Sequence, residues 1–522
     1  MKYKVLITTS GTGFRMGSLV EDTNQTLIKV GEKPILSRIV ESYPQNITLV
    51  ITLGYYGQYV KDFLEIAYPD RKFEFIWVDK YTGRGSSLVY SISKASAKLQ
   101  CPFIYHAGDT LVKETIPPPN ANWNGGMLNL NLSQYRSFDI LKDKVVKFYD
   151  KGVDDTDYVH IGLLGIKDYE LFWKSLRSIL KASNPDITYL SDVHVLAKML
   201  ELGTEFKLEK YETWHDVGYP EGLYKARVDY RDKYTVLDKK SEAIYFVGNK
   251  VIKFFSESNV VSDRIKRAEL LSGLVPKIVN ERSNFYAYSY VKGDLFANIV
   301  NKNNFLDLLK WASKYLWQPL KDLDKNEFVK ACIKFYKEKT YERVKMYLKK
   351  KIINDKADRI NGLDTPSISD VLSKVDFIEI CQTEPYRFHG DFILDNILKT
   401  ENGFCLLDWR QDFGGRIDMG DRYYDLSKLS HNLLVNHRKV NGHQFKIIEQ
   451  DRDITCEVER EQRFIDCENI LFDFINQNNY NARRVKVLRG IIWLNMSPLH
   501  EPPLDDFLYY FGKYHLWKSL NE

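Results

Sequence analysis

The sequence predicts an α/β protein in two parts: a mainly parallel sheet from the N-terminal residues, then a hairpin-led unit that turns mostly helical. Three observations predict it. Short apolar runs alternate with helix-like segments from residue 1 to about 225, which implies right-handed crossovers between parallel strands. Residues 243–255 read as two strands around Gly248-Asn249, a hairpin signal. After about residue 303 the texture is helical. At 522 residues the chain exceeds one compact domain, since domains average roughly 150 residues.

The strands come first. Val5-Leu6-Ile7, residues 47–51, 73–78 and 103–105 are apolar runs of the length and composition of buried strands. Residues 34–43 and 86–99 have helical spacing between them. Near residue 230 the segments 229–233 and 239–242 are charged and lack an apolar face. They place a boundary at 226–241 and divide the chain into 1–230, 242–300 and 301–522. Residues 288–295 read as a hinge before the helical part. Within that part, residues 328–351 carry Ala331, Ile333, Phe335, Tyr341, Val344 and Tyr347 among their apolar or aromatic positions.

Composition removes several classes. Apolar residues make up 44% and charged residues 28%, so extended disorder is not expected. Lys plus Arg is 75 against 70 Asp plus Glu, an excess of +5 that is too thin for a nucleic-acid partner. No apolar run reaches the roughly 18 residues of a membrane span. The basic then apolar start at Lys2 to Thr9 is too short for a signal peptide. Six cysteines without paired spacing read as reduced core residues, not as a disulfide frame or zinc site. A cytoplasmic location is expected, with an oligomer possible.

The first chemical constellation follows the first strand. In Ser10-Gly11-Thr12-Gly13-Phe14-Arg15, two glycines let the backbone turn tightly and present N–H groups to phosphate oxygens, and Arg15 adds a fork of donors. Ligands of parallel sheets sit beyond the carboxyl ends of the strands, where this turn falls. Gly83-Arg84-Gly85-Ser86 opens a helix that would cradle a base or phosphate. Asp109 ends a strand at the same edge, and Asp216 precedes Gly218. Two carboxylates at one cleft hold Mg²⁺ against a triphosphate; the same residue types also serve as helix caps.

The second constellation lies in Phe388-His389-Gly390-Asp391, followed by Asn396 and Asp408. The order His-x-Asp-x-x-x-x-Asn, then an acid after an apolar run, has the logic of phosphoryl transfer. One carboxylate orients the attacking hydroxyl, and an asparagine and a second carboxylate hold the metal on the nucleotide. His389 reads as a packing residue that braces the loop. Lys253 lies inside an apolar strand and needs anions, which nucleotide phosphates and Glu269 would supply.

Residues 1 to about 225 resemble the sugar-phosphate nucleotidyltransferase family. The resemblance rests on Gly11-x-Gly13-x-Arg15-Met16, Gly31-x-Lys33-Pro34, Gly108-Asp109 and Trp214-x-Asp216-x-Gly218-x-Pro220-Glu221. It implies a Rossmann-like fold with Gly11, Thr12 and Gly13 on the nucleotide, Arg15 and Lys33 in catalysis, and Asp109 and Asp216 as metal ligands. Ser191-Asp192 is taken as structural. One departure matters: Gln25 stands where the family has a phosphate-contacting lysine, and a neutral amide cannot offset charge building on the α-phosphorus. Lys29 or Lys33 would have to replace it in space.

Residues 242–522 resemble the aminoglycoside phosphotransferase and choline kinase superfamily, through Lys253, Glu269, Asp391, Asn396 and Asp408. That implies a bilobal protein-kinase-like domain with Asp391 as catalytic base, Asn396 and Asp408 as metal ligands, and Lys253 and Glu269 at the nucleotide. The segment 420–425 departs from a choline kinase pattern, and Asp425 reads as a helix cap.

Together the halves imply consecutive steps on a sugar or polyol. ATP phosphorylates an alcohol, and a second NTP, with CTP favoured, then yields an activated nucleotide and pyrophosphate for surface glycans of the capsule or lipopolysaccharide type. The alternatives are choline kinase joined to CTP:phosphocholine cytidylyltransferase, or a kinase joined to a catalytically weak nucleotide-binding domain. Mg²⁺ is the implied cofactor.

Overall fold

The computed structural model describes residues 2–128, 133–153, 155–182, 187–230, 241–321 and 323–522. The chain divides into two compact units, residues 1–258 with 279–288, and residues 259–278 with 289–522. Most of the boundary expected at 226–241 lies outside the described residues.

The first unit is built on a nine-stranded sheet. From one edge the order is Phe73–Trp77, Thr48–Leu53, Lys4–Thr8, Phe103–Ala107, Tyr158–Ile166, Trp123–Leu128, Lys207–Lys210, Lys144–Tyr149 and Ser137–Leu141. The first four are parallel, in register Lys4↔Thr48 and Lys4↔Phe103. Beyond Phe103–Ala107 the pairings are antiparallel except Lys207–Lys210 on Trp123–Leu128. The expected mainly parallel sheet is therefore corrected to a mixed one. Tyr158–Ile166 returns beside Phe103–Ala107 from a hairpin-rich segment, not through a helix, so it runs against its neighbour.

Both faces of the parallel strands are covered. Val5 and Ile7 point into a core with Ile35, Leu36, Val60, Phe63 and Leu64. Leu6 points into another with Val89, Ile92, Phe172, Trp173 and Leu196. Successive side chains leave opposite faces of a strand, so a fully apolar run requires helices on both sides.

The hairpin forms as Glu242–Val247 and Lys250–Phe255, with Gly248 at φ 57°. It joins a second sheet with Ile278–Arg282 and Phe285–Ser289. This sheet packs within the first unit. Tyr245 and Phe285 meet Phe63 at 5.2 and 6.4 Å between ring centroids, Tyr59 meets Phe254 at 5.2 Å, and the Tyr245 hydroxyl donates to the Leu27 carbonyl at 2.9 Å. The aromatic face of the hairpin is satisfied by helix Gly57–Ala67, a contact that sequence spacing does not reveal.

The second unit is helical around helices Lys302–Trp311, Arg422–Leu434, Gln462–Gln477, Ala482–Met496 and Leu504–Asn521. The helix expected at 328–351 appears as Lys325–Cys332 and Lys339–Lys351, joined by a π-helical stretch Ile333–Glu338. Two sheets that the helical texture concealed are also present: Asp294–Leu295 with Ile397–Thr400 and Gly403–Leu406, and a four-stranded one from Asp358–Ile360 to Asp453–Val458. No helix among the described residues is long and apolar enough to cross a membrane.

Phe63 has no exposed surface and closes the hairpin sheet onto its helix. Phe63→Ala is expected to cost about 3–5 kcal/mol, and Phe63→Leu less. Urea unfolding followed by tryptophan fluorescence checks both.

Two candidate active sites

The parallel register sets the first site. Thr8 lies beside Ala107, so the turn Thr9 to Gly13 and the segment Gly108-Asp109 leave the sheet at one edge. Gly13 has φ 64°, a left-handed conformation that glycine adopts without strain. A Cβ there would stand 2.6 Å from Gln25 Oε1, so the turn rests directly on Gln25. Asn24 fixes the same loop by donating to the Thr9 and Tyr55 carbonyls at 2.9 and 2.7 Å.

The two carboxylates meet through a short antiparallel bridge. His215–Asp216 pairs with Thr110–Leu111, and the Val217 N–H donates to the Asp109 carbonyl at 2.8 Å. A Cβ at Gly218 would fall 2.7 Å from Asp109 Oδ2, 2.8 Å from Asp216 Oδ1 and 2.7 Å from Arg15 Nη2. Only glycine leaves room for that convergence. Asp216 Oδ1 accepts the Gly218 N–H at 2.8 Å, and Arg15 Nη2 lies 3.4 Å from Asp109 Oδ2. Burial, then the Asp216 charge, pushes Asp109 up to about 6 despite Arg15.

These side chains line a cleft of about 140 Å³. Its wall also holds Arg136, Lys151, His160 and Asp192, which the sequence reading did not select. His160 bridges Asn124 Oδ1 at 2.9 Å and Asp192 Oδ2 at 2.8 Å. Burial opposes the Asp192 carboxylate, but His160 and Arg136 together bring it below its ordinary pKa. Asp192 is thus a cleft residue, while Ser191 caps helix Asp192–Glu201. Burial lowers the Lys151 ammonium, with Arg136 and Arg15 adding to the effect. No motif marks Arg136 or Lys151, which enter from turns beside different strands.

Lys33 is corrected. Its ammonium sits 2.5 Å from Glu41 Oε2, at the end of helix Ile35–Glu41, and it does not line the cleft. Gln25 does reach the site, with Nε2 3.4 Å from the Val217 carbonyl. Gly11 and Thr12 lie in the turn that follows strand Lys4–Thr8. Lys253 is buried on its strand in the first unit, and Glu269 is exposed on helix Ser258–Leu270 in the second.

In the second unit, Asn396 ends the loop that begins at His389. Its Nδ2 donates to Asp391 Oδ2 at 2.9 Å and to the Asp391 carbonyl at 3.0 Å. The Leu407 N–H donates to the Asn396 carbonyl at 2.7 Å, which brings Asp408 beside it. Arg264 forms an ion pair with Asp408. Lys428 Nζ stands 2.7 Å from Asp391 Oδ1. Burial opposes the Asp391 carboxylate, but Lys428 outweighs it and holds the pKa at about 2. His389 has no exposed surface, and burial lowers it to about 4, so it is neutral near pH 7.

Asp425 is not the cap of its helix. Asp421 caps Arg422–Leu434 by accepting the Tyr423 N–H at 2.9 Å. Asp425, one turn inside, accepts the His389 and Gly390 N–H groups at 2.8 and 2.7 Å and the Trp317 indole N–H at 3.1 Å. Burial nevertheless raises it to about 7. Asn432 continues the same face, donating to Asp395 and accepting the Leu394 N–H.

Both carboxylate sets present hard oxygens of the kind that bind Mg²⁺. Burial and the Asp216 charge together raise Asp109, and a divalent cation would offset both by favouring the ionised carboxylates. Among the described residues no group of three or more His, Cys, Asp or Glu is arranged around a metal position.

No family model matches the chain, and no curated protein matches it in sequence. Solved structures match its N-terminal half. CTP:phosphocholine cytidylyltransferase from Streptococcus pneumoniae is 14% identical, covering 44% of this chain and 100% of that one, with a TM-score of 0.39. Inositol-1-phosphate CTP transferase from T. maritima is 15% identical over 45% of this chain and 98% of that one, with a TM-score of 0.36. HddC from Yersinia pseudotuberculosis is 20% identical over 44% and 100%, with a TM-score of 0.33.

An unfolded aspartate ionises near about 3.9. The folded state therefore holds an extra proton on Asp109 up to about pH 6, and stability falls as pH rises through that window. Asp109→Asn is expected to raise the thermal midpoint at pH 7.5 with little effect at pH 4. Added MgCl₂ is expected to stabilise the wild type at pH 7.5 and not the variant. Scanning fluorimetry at both pH values checks this.

Proposed function

We propose that the first unit transfers a nucleoside monophosphate from an NTP to a small phosphomonoester, and that the second makes that phosphomonoester from an alcohol and ATP. The observation that carries the reading is the convergence of Asp109 and Asp216 beside a glycine turn at the carboxyl edge of parallel strands. The arrangement of Asp391, Asn396 and Asp408 supports the second activity.

In the first step an alcohol oxygen attacks the γ-phosphorus of ATP. The γ-phosphorus–oxygen bond breaks, ADP leaves, and the hydroxyl proton passes to Asp391. A carboxylate held near 2 by Lys428 is a weak base. Its main task is to orient the hydroxyl, accepting the proton as the new bond completes. Asn396 keeps the Asp391 side chain in place, and Asp425 fixes the backbone that carries it. Mg²⁺ held by Asn396 and Asp408 would neutralise nucleotide charge, and Arg264 would yield Asp408 to it.

In the second step an oxygen of the new phosphomonoester attacks the α-phosphorus of an NTP and pyrophosphate leaves. The N–H groups of the Gly11–Gly13 turn would bind its phosphates, and Asp109 and Asp216 would hold Mg²⁺. Arg15, Arg136 and Lys151 supply positive charge around the reacting phosphates. The product is an activated nucleotide of the kind consumed in surface glycan synthesis, with CTP the favoured donor.

Asp391→Asn is expected to lower alcohol-dependent ADP release about 10²–10⁴-fold. Pyrophosphate release from NTP and added phosphomonoester should be untouched. Asp216→Asn should do the reverse, losing about 10²-fold or more of pyrophosphate release. Coupled assays for ADP and pyrophosphate separate the two. Gln25 favours a second reading, in which the first unit turns over slowly. On that reading Gln25→Lys raises the rate of pyrophosphate release.

A further inference from the structure

Beside Asp391 the second unit gathers positive charge that the chemistry above does not use. Lys339 and Arg343 lie one turn apart on helix Lys339–Lys351, so their side chains share a face. Lys339 Nζ is 4.4 Å from the centre of the Phe335 ring, and the Arg410 guanidinium is 4.9 Å from it. Two cations thus share one aromatic ring. Arg410 is tied to the catalytic loop. Its N–H donates to the His389 carbonyl at 3.1 Å, and a Cβ at Gly390 would lie 2.6 Å from Arg410 Cβ. Lys428, on Asp391, adds a fourth cation.

Among the described residues, Lys339, Arg343 and Arg410 form no ion pair with a carboxylate. Asp412 faces Lys339 at longer range, and its Oδ2 accepts the Gly415 N–H at 2.7 Å. Glu342 is the acid nearest in sequence to Arg343. Lys428 is committed to Asp391. Burial, then repulsion from Arg410 and Arg343, drives the Lys339 ammonium well below its ordinary pKa. A half-buried group of like charges is costly unless an anion completes it.

We propose that the acceptor alcohol of the second unit carries an anionic group, a carboxylate or a phosphate ester, held by Lys339, Arg343 and Arg410 while its hydroxyl faces Asp391. This rests on the kinase reading of that unit. The reaction balances as before. The hydroxyl oxygen bonds to the γ-phosphorus, ADP departs and Asp391 takes the proton, while the anionic group stays intact. A quaternary ammonium acceptor such as choline would meet repulsion at this face. The product, with a phosphomonoester and a second anion, is of a charge that the Arg15, Arg136 and Lys151 wall of the first unit would accept.

The test uses the full chain with Mg-ATP and four probes: glycerol, choline, glycerate and glycerol 3-phosphate. ADP release is expected with an anionic probe, and the glycerate and glycerol 3-phosphate arms separate carboxylate from phosphate. Lys339→Met and Arg343→Gln are expected to raise the acceptor KM about tenfold or more with the ATP KM unchanged. Phosphorylation of glycerol or choline with a KM that neither variant moves would overturn the proposal. An independent arm measures the thermal shift given by sodium sulfate at constant ionic strength, with a non-hydrolysable ATP analogue present. The wild type should be stabilised and the double variant Lys339→Met/Arg343→Gln not; equal shifts overturn the anion site. No ADP with any probe and no shift with the analogue would remove the kinase reading, and a sulfate shift lost in the variant would still show the anion site.

Discussion

The two-residue bridge between His215–Asp216 and Thr110–Leu111 is the contact on which the first site depends. It joins segments more than 100 positions apart and sets two carboxylates against each other in a cleft. That arrangement is unfavourable by itself: burial, and then the Asp216 charge, make Asp109 ionise late. The fold tolerates it because the bridge is anchored on a parallel sheet covered on both faces. Gly218 then allows an approach that any side chain would block. Stability of the scaffold holds a strained electrostatic arrangement at its edge.

The second unit solves a different problem with one helix. Asp425, Lys428 and Asn432 are spaced three and four apart on Arg422–Leu434, so they form one face. Each takes a different part of the loop: Asp425 its backbone N–H groups, Lys428 the Asp391 carboxylate, and Asn432 the Leu394–Asp395 turn. A loop held at three points by a buried helix face has little freedom to misplace Asp391. Burial raises Asp425 despite its donors, whereas Lys428 outweighs burial at Asp391, so the two carboxylates ionise in different ranges.

Charge distinguishes the surroundings of the two sites. The first balances Arg15, Arg136 and Lys151 against Asp109, Asp216 and Asp192 in one wall. The second pairs Asp391 with Lys428 and Asp408 with Arg264, and sets two further cations, Lys339 and Arg410, on the Phe335 ring.

The sequence by itself determined what depends on local periodicity and short spacing. The parallel strands at Lys4–Thr8, Thr48–Leu53, Phe73–Trp77 and Phe103–Ala107, the hairpin at Gly248 and the spacing of Asp391, Asn396 and Asp408 were all legible there. Apolar runs and turn residues act over a few positions. Tertiary structure alone decided the rest. Sequence could not tell that Lys33 would be claimed by Glu41, since that pairing follows from where a helix ends. Arg136, Lys151 and Lys428 come from separate elements and share no motif. The hairpin sheet went with the first unit because Phe63 offered its aromatic face a partner. Contacts between distant segments are fixed by how whole layers pack, and a linear pattern carries no record of that packing.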